Sequence, residues 1–144
     1  MLRVVIESPY ANKDPVKINE NLRYAREALH HSFALGEAPF ASHLLYTQIL
    51  NDEDEKERLR GLQACYEWTA VADLVAFYVD LGWSPGMIKA LKMARILQRK
   101  VQVRQILARD RLNEPLEVKE ILSHLKAVDL KVYAIGWEHD DLPF

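Results

Sequence analysis

Residues 74–87 read LVAFYVDLGWSPGM. The apolar run from Leu74 to Val79 is too short for a buried helix and suits a strand covered on both faces. Asp80 closes the run, and Ser84-Pro85-Gly86 has the marks of a helix start. Ser84 can cap free amides, Pro85 fits the first turn, and Gly86 lets a ligand approach the backbone. Helical spacing then predicts a helix over Met87 to Leu97, with Ile88, Leu91 and Met93 or Ala94 facing inward. A strand leading through such a loop into a helix is half of a βαβ unit.

The same alternation extends both ways. Leu2 to Ile6, broken only by Arg3, reads as a central parallel strand, and Glu7-Ser8-Pro9-Tyr10 ends it. Turn residues Asn12, Asp14 and Pro15 precede a helical period from Ile18 to Leu35. Its expected inner stripe is Ile18, Leu22, Ala25, Leu29 and Phe33, and Gly36 is placed to stop it. Ala38 to Ala41 reads as a second short strand, with a turn or brief helix at His43 to Tyr46. The acidic run from Asn51 to Glu57 opens a third helix, continuing through Leu59, Leu62, Cys65, Tyr66 and Thr69 towards Asp73. Val101 to Leu107 reads as a fourth strand. Strands alternating with helices predict an α/β, Rossmann-like three-layer sandwich: a parallel central sheet of four to five strands, helices on both faces and right-handed crossovers. Residues 1–107 are expected to form this domain. Residues 108–144 form an extension packed on it, with a helix opened by Pro115, a strand at Leu130 to Ile135 and an acidic tail.

Composition narrows the function classes. The chain has 144 residues, 28% of them charged, a net charge of −2 and a pI near 6.2, so no broad basic surface for nucleic acid is expected. The dense Lys and Arg of 92–111 read first as a solvated face and second as an adaptor surface for nucleic acid. A lone cysteine, Cys65, cannot build a disulfide framework or a multi-cysteine zinc site and fits a reducing, cytoplasmic setting. No apolar segment suits a bilayer, and MLRVVIESPY lacks a signal-peptide layout. No metal is expected, since His30 and His31 are adjacent and diverge on a helix, and no cofactor, since phosphate-loop and dinucleotide fingerprints are missing.

In an open parallel sheet, ligands settle outside the carboxyl ends of the strands. The loops expected there are Glu7-Ser8-Pro9-Tyr10, the segment around His43, and Asp80 to Met87. Glu7, Ser8, Pro9 and Tyr10 would line one wall, with Arg23 or Arg26 neutralising Glu7 and Tyr10 stacking on a base. Asn21 and Tyr24 would reach the mouth from the first helix, and His43 would contribute from the second loop. Asp80 would meet a sugar, while Ser84, Gly86 and Met87 would hold a phosphate at a helix amino end.

The ordered set ESPY, NLRYAREAL, APFASHLLYTQ and ADLVAFYVDLGWSPGMIKALKMA resembles a small, largely uncharacterised family of phage and bacterial genomes related to the nucleoside 2-deoxyribosyltransferase-like proteins. The resemblance covers residues 2–106. It implies a flavodoxin-like fold, a nucleoside, nucleotide or ADP-ribose-like ligand, and homo-oligomers; Trp68, Trp83 and Trp137 read first as core or pocket-rim residues and second as interface residues. It also implies a glutamate nucleophile four residues past the loop glycine. Counting from Gly86, that position is Ala90, and the adjacent Lys89 cannot replace a carboxylate there. The expected function is therefore ligand binding without covalent glycosyl transfer, with a phage role in nucleotide pools or signal sequestration. The alternative is cleavage of an N-glycosidic bond with Asp80 or Glu7 as the catalytic carboxylate.

Overall fold

The computed structural model describes residues 1–106. Chain order is β1 (Arg3–Glu7), α1 (Pro15–Ala34), β2 (Ala38–Phe40), α2 (Ser42–Leu45), a 3-10 turn (Tyr46–Gln48), α3 (Glu55–Val71), β3 (Leu74–Tyr78), α4 (Pro85–Ile96) and β4 (Lys100–Arg104). The longer helices start where a short polar side chain takes an early amide. Asp14 accepts from the Val16 amide at 2.9 Å, Asp54 from Glu57 at 3.0 Å and Ser84 from Met87 at 3.2 Å. Gly36 follows α1 at φ 76°, a left-handed conformation that favours glycine.

The strands form one parallel sheet in the order β2-β1-β3-β4. Val4 pairs in register with Pro39 on one side and with Leu74 on the other, so β1 lies inside the sheet. Alternation along β1 separates two cores. Val4 and Ile6 pack with Tyr24 and Ala28 of α1, while Val5 packs with Met87, Leu91 and Ala94 of α4. Helices therefore cover both faces, as the alternation of elements predicts. The strand expected at Leu130 to Ile135, the helix opened by Pro115 and the acidic tail lie outside the described residues.

The inner face of α1 differs from the expected stripe. Its buried residues are Asn21, Tyr24, Ala25, Ala28 and Ser32, whereas Phe33 is 61% exposed. Small alanines let the helix sit close to the sheet, and the polar members are hydrogen-bonded: Asn21 Nδ2 donates to the Tyr10 carbonyl at 2.9 Å, and Ser32 Oγ to Glu37 at 2.6 Å. A stripe chosen by hydrophobicity alone misses a face whose polar groups find partners. Leu2 is likewise exposed, although it was expected inside the first strand.

On the α1 side lies a buried ion pair. Arg104 grips Glu37 with both terminal nitrogens, at 2.7 and 2.8 Å, and also donates to the Tyr78 hydroxyl at 3.1 Å. Arg104 belongs to the basic strip read as a solvated face, yet it is only 3% exposed. The strip is therefore interrupted at β4. Among the described residues, no helix is long and apolar enough to cross a membrane.

Breaking a buried pair leaves an uncompensated charge, a loss of about 3–5 kcal/mol. Arg104→Ala should lower the unfolding free energy by about that amount, measured by urea titration. Replacing the exposed Arg23 should leave the midpoint nearly unchanged.

Candidate functional site

The chain leaves β1 towards β2 through α1, and the next connection carries it across β1 to β3 on the other side. At such a reversal, neighbouring loops diverge and leave a crevice at the strands' carboxyl ends. A cavity of about 310 Å³ occupies this place. The end of β1 supplies Glu7 and the segment after it Ser8 and Tyr10, the segment after β2 supplies His43 and Tyr46, and α4 with its cap supplies Ser84, Gly86, Met87 and Ala90. Three stretches distant in sequence thus share one hollow.

Pro9, Asn21, Tyr24 and Asp80 do not line it. Asn21 instead holds the loop after β1 through the Tyr10 carbonyl. The Tyr24 hydroxyl donates to Asp80 Oδ2 and accepts from the Asp80 amide at 3.0 Å. That same carboxylate oxygen accepts the Ile106 amide at 2.9 Å. Asp80 therefore joins α1, the loop after β3 and the chain beyond β4. Its carboxylate is engaged in holding the frame.

Glu7 lies at the end of β1 on the α3 and α4 side, where alternation sends it after Val5. It is 9% exposed, and its hydrogen-bond partner is the Cys65 thiol, with Sγ 3.7 Å from Oε1. Neither Arg23 nor Arg26 neutralises it: both are exposed on α1, which covers the opposite face. Burial pushes the Glu7 carboxyl up to about 7, only slightly opposed by the thiol. Burial also raises the Cys65 thiol, which keeps it protonated and a poor nucleophile.

Ser8 and His43 form a second polar pair, Oγ to Nε2 at 2.8 Å. Burial pulls His43 down to about 4, so its imidazole is neutral at pH 7. The amino end of α4 offers few donors. Pro85 has no amide proton and the Met87 amide is already taken by Ser84, which leaves the Gly86 amide in that first turn. A phosphate would find one free amide there rather than a cradle.

Sequence reading passed over the wall made by α3. Arg58, Gly61, Leu62 and Cys65 line the cavity at spacings of three and four, a helical face. No local signal marks it, since Arg58, Gly61 and Cys65 stand among residues that read as an ordinary amphipathic helix. At Gly61 a Cβ would stand 3.4 Å from Leu50 Cδ1, so the segment before α3 packs directly against this turn of the helix. Arg58 lies at the rim, 4.0 Å from Asp52 in an exposed pair. Among the described residues, no group of three or more His, Cys, Asp or Glu could hold a metal ion.

A family model described as a domain of unknown function, DUF7768, matches residues 2–104. The chain belongs to that family. No curated protein matches it. Among solved structures, it is similar to a 2-deoxyribosyltransferase from the psychrotolerant bacterium Bacillus psychrosaccharolyticus, with a TM-score of 0.60 and 16% identity over 94% of this chain and 93% of that one. At this identity the likeness is one of fold. The fold of the DUF7768 chain, a parallel sheet in the order β2-β1-β3-β4 with helices on both faces, is thus flavodoxin-like and similar to that of this neighbour.

The Glu7 shift carries a stability consequence of definite sign. A carboxyl raised from 4.5 to about 7 binds its proton more tightly when folded. Its contribution is complete below pH 4.5 and is lost as pH rises through about 7. Glu7→Gln should melt close to the parent at pH 4.5 and higher at pH 8, by up to about 3 kcal/mol. Thermal unfolding of both proteins across that range checks the sign.

Proposed function

We propose that the cleft binds a nucleoside, nucleotide or ADP-ribose-like ligand, and that no covalent glycosyl intermediate forms on α4. The observation that carries this reading is the meeting of three chain segments around one cavity at the strand-order reversal. That is where open α/β sheets bind such ligands. Tyr10 and Tyr46 offer aromatic surface for a base, and Ser8 with neutral His43 offers hydrogen bonds for a sugar or a base edge. The fold neighbour is a 2-deoxyribosyltransferase, which favours a nucleoside as the shared part of the ligand. Ala90 stands in the wall where the resemblance places a nucleophilic glutamate, and a methyl group cannot attack an anomeric carbon.

Thermal-shift titration against nucleosides, nucleotides, NAD, ADP-ribose and cyclic dinucleotides tests the reading. A ligand present at a hundred times its Kd should stabilise the protein by about 2.7 kcal/mol. Ala90→Phe, which fills the cleft, should abolish the shift. Lys89→Ala, on the exposed side of the same turn, should leave it intact. No shift with any nucleoside derivative would overturn the proposal.

A further inference from the structure

We infer that Glu7 is the working carboxylate of the cleft, the general base that sets a water molecule against the N-glycosidic bond of the bound nucleoside. The inference rests on the nucleoside-binding reading and adds a reaction to it.

The molecule provides its own control in Glu37. That carboxylate is buried too, but it receives both Arg104 terminal nitrogens and the Ser32 hydroxyl. A structural acid in the interior has its lone pairs occupied. Glu7 is equally sequestered, yet only the thiol of Cys65 reaches it, on Oε1. Among the described residues, no cation pairs with it and Oε2 has no hydrogen-bond partner. Burying such a group without compensation costs stability. A carboxyl kept in that state on a cavity wall is a candidate for chemistry rather than for packing.

The other carboxylates are less free. Asp80 is held by the Tyr24 hydroxyl and the Ile106 amide and does not line the cavity. Asp52 faces Arg58, and Glu57 Oε2 accepts the Asn51 amide. Glu7 and Ala90 line the same cavity from β1 and α4, so the strand carboxyl shares its hollow with a small alanine. The cleft thus keeps a carboxyl, carried on the strand instead of the helix. Separately, burial holds that carboxyl near 7, the range in which a base is both ionised and basic at neutral pH.

The step balances with water as the co-reactant. Ionised Glu7 takes a proton from water while the water oxygen bonds to the anomeric carbon. The carbon–nitrogen bond breaks, and its electron pair leaves on the base nitrogen. The leaving nitrogen takes a proton from solvent, and protonated Glu7 gives its own back to water. The products are the free base and the sugar, and the carboxylate is regenerated.

The experiment follows free base released from ribo- and 2-deoxyribonucleosides by the full chain, alongside the thermal shift given by the same nucleosides. The parent should release base, with kcat/KM rising with pH and levelling above about 7. Glu7→Gln should keep the nucleoside-induced thermal shift and lose turnover by about a hundredfold or more. Glu7→Asp should recover part of that activity. Equal turnover in Glu7→Gln, or a thermal shift with no base released by the parent, would overturn the assignment and leave the binding reading standing. Exchange of one base for another without net hydrolysis would overturn the general-base role in favour of a glycosyl-enzyme. Absence of any nucleoside-induced shift would overturn the binding reading and this inference together.

Discussion

The architecture depends on a constraint of handedness. Parallel strands joined by crossovers must wind right-handed, so a chain that covers both faces of one sheet has to reverse its direction of growth somewhere. Here the reversal falls beside β1, which has β2 on one side and β3 on the other. The loops leaving these strands are carried apart, and no side chain of the sheet can fill the gap between them. A crevice is therefore a consequence of topology before any ligand is considered. The last residue of β1 faces it, and in this chain that residue is glutamate.

Polar groups around this frame sort by how completely they are bonded. Arg104, Glu37, Ser32 and Tyr78 form a network beneath α1 in which the charges find opposite partners. Tyr24 and Asp80 serve a similar purpose beside the cleft, where the carboxylate binds a hydroxyl and a backbone amide. Such networks hold elements in register, and removing one member strands the others. Glu7 is different in kind, because its environment raises its proton affinity without supplying a counter-charge. Asp80 and Glu7 look alike in the sequence, each a carboxylate at a strand end. Only the arrangement of partners separates a stapling carboxylate from one left with a single thiol donor.

Much of the fold was legible from local chemistry. Apolar runs marked β1 and β3, Ser84-Pro85 marked the start of α4, and Gly36 marked the end of α1. The convergence of the loops after β1, β2 and β3 followed from alternation and the strand-end rule. Two features were harder to see. The buried face of α1 includes Asn21 and Ser32, whose partners Tyr10 and Glu37 are brought to them by the turns at either end of the helix. The α3 wall carries Arg58, Gly61 and Cys65 between residues that read as ordinary amphipathic helix, and nothing local tells a wall facing a cavity from one facing a core. Asp80 was misplaced for a related reason. A carboxylate after a strand suits a sugar equally well until a tyrosine from another helix is known to reach it first.

The charge of the cleft follows from burial rather than from residue count. His43 is held neutral near pH 7 and bonded to Ser8, and Cys65 keeps its proton. With a single spare amide in the first turn of α4 and Arg58 out at the rim beside Asp52, the inner wall has little to offer a phosphate. Its recognition chemistry is that of neutral donors and acceptors around aromatic rings, which suits a base and a sugar better than a phosphoryl group. In that setting, among the described residues of the inner wall, burial raises the Glu7 carboxyl to about 7 while it favours the neutral forms of His43 and Cys65.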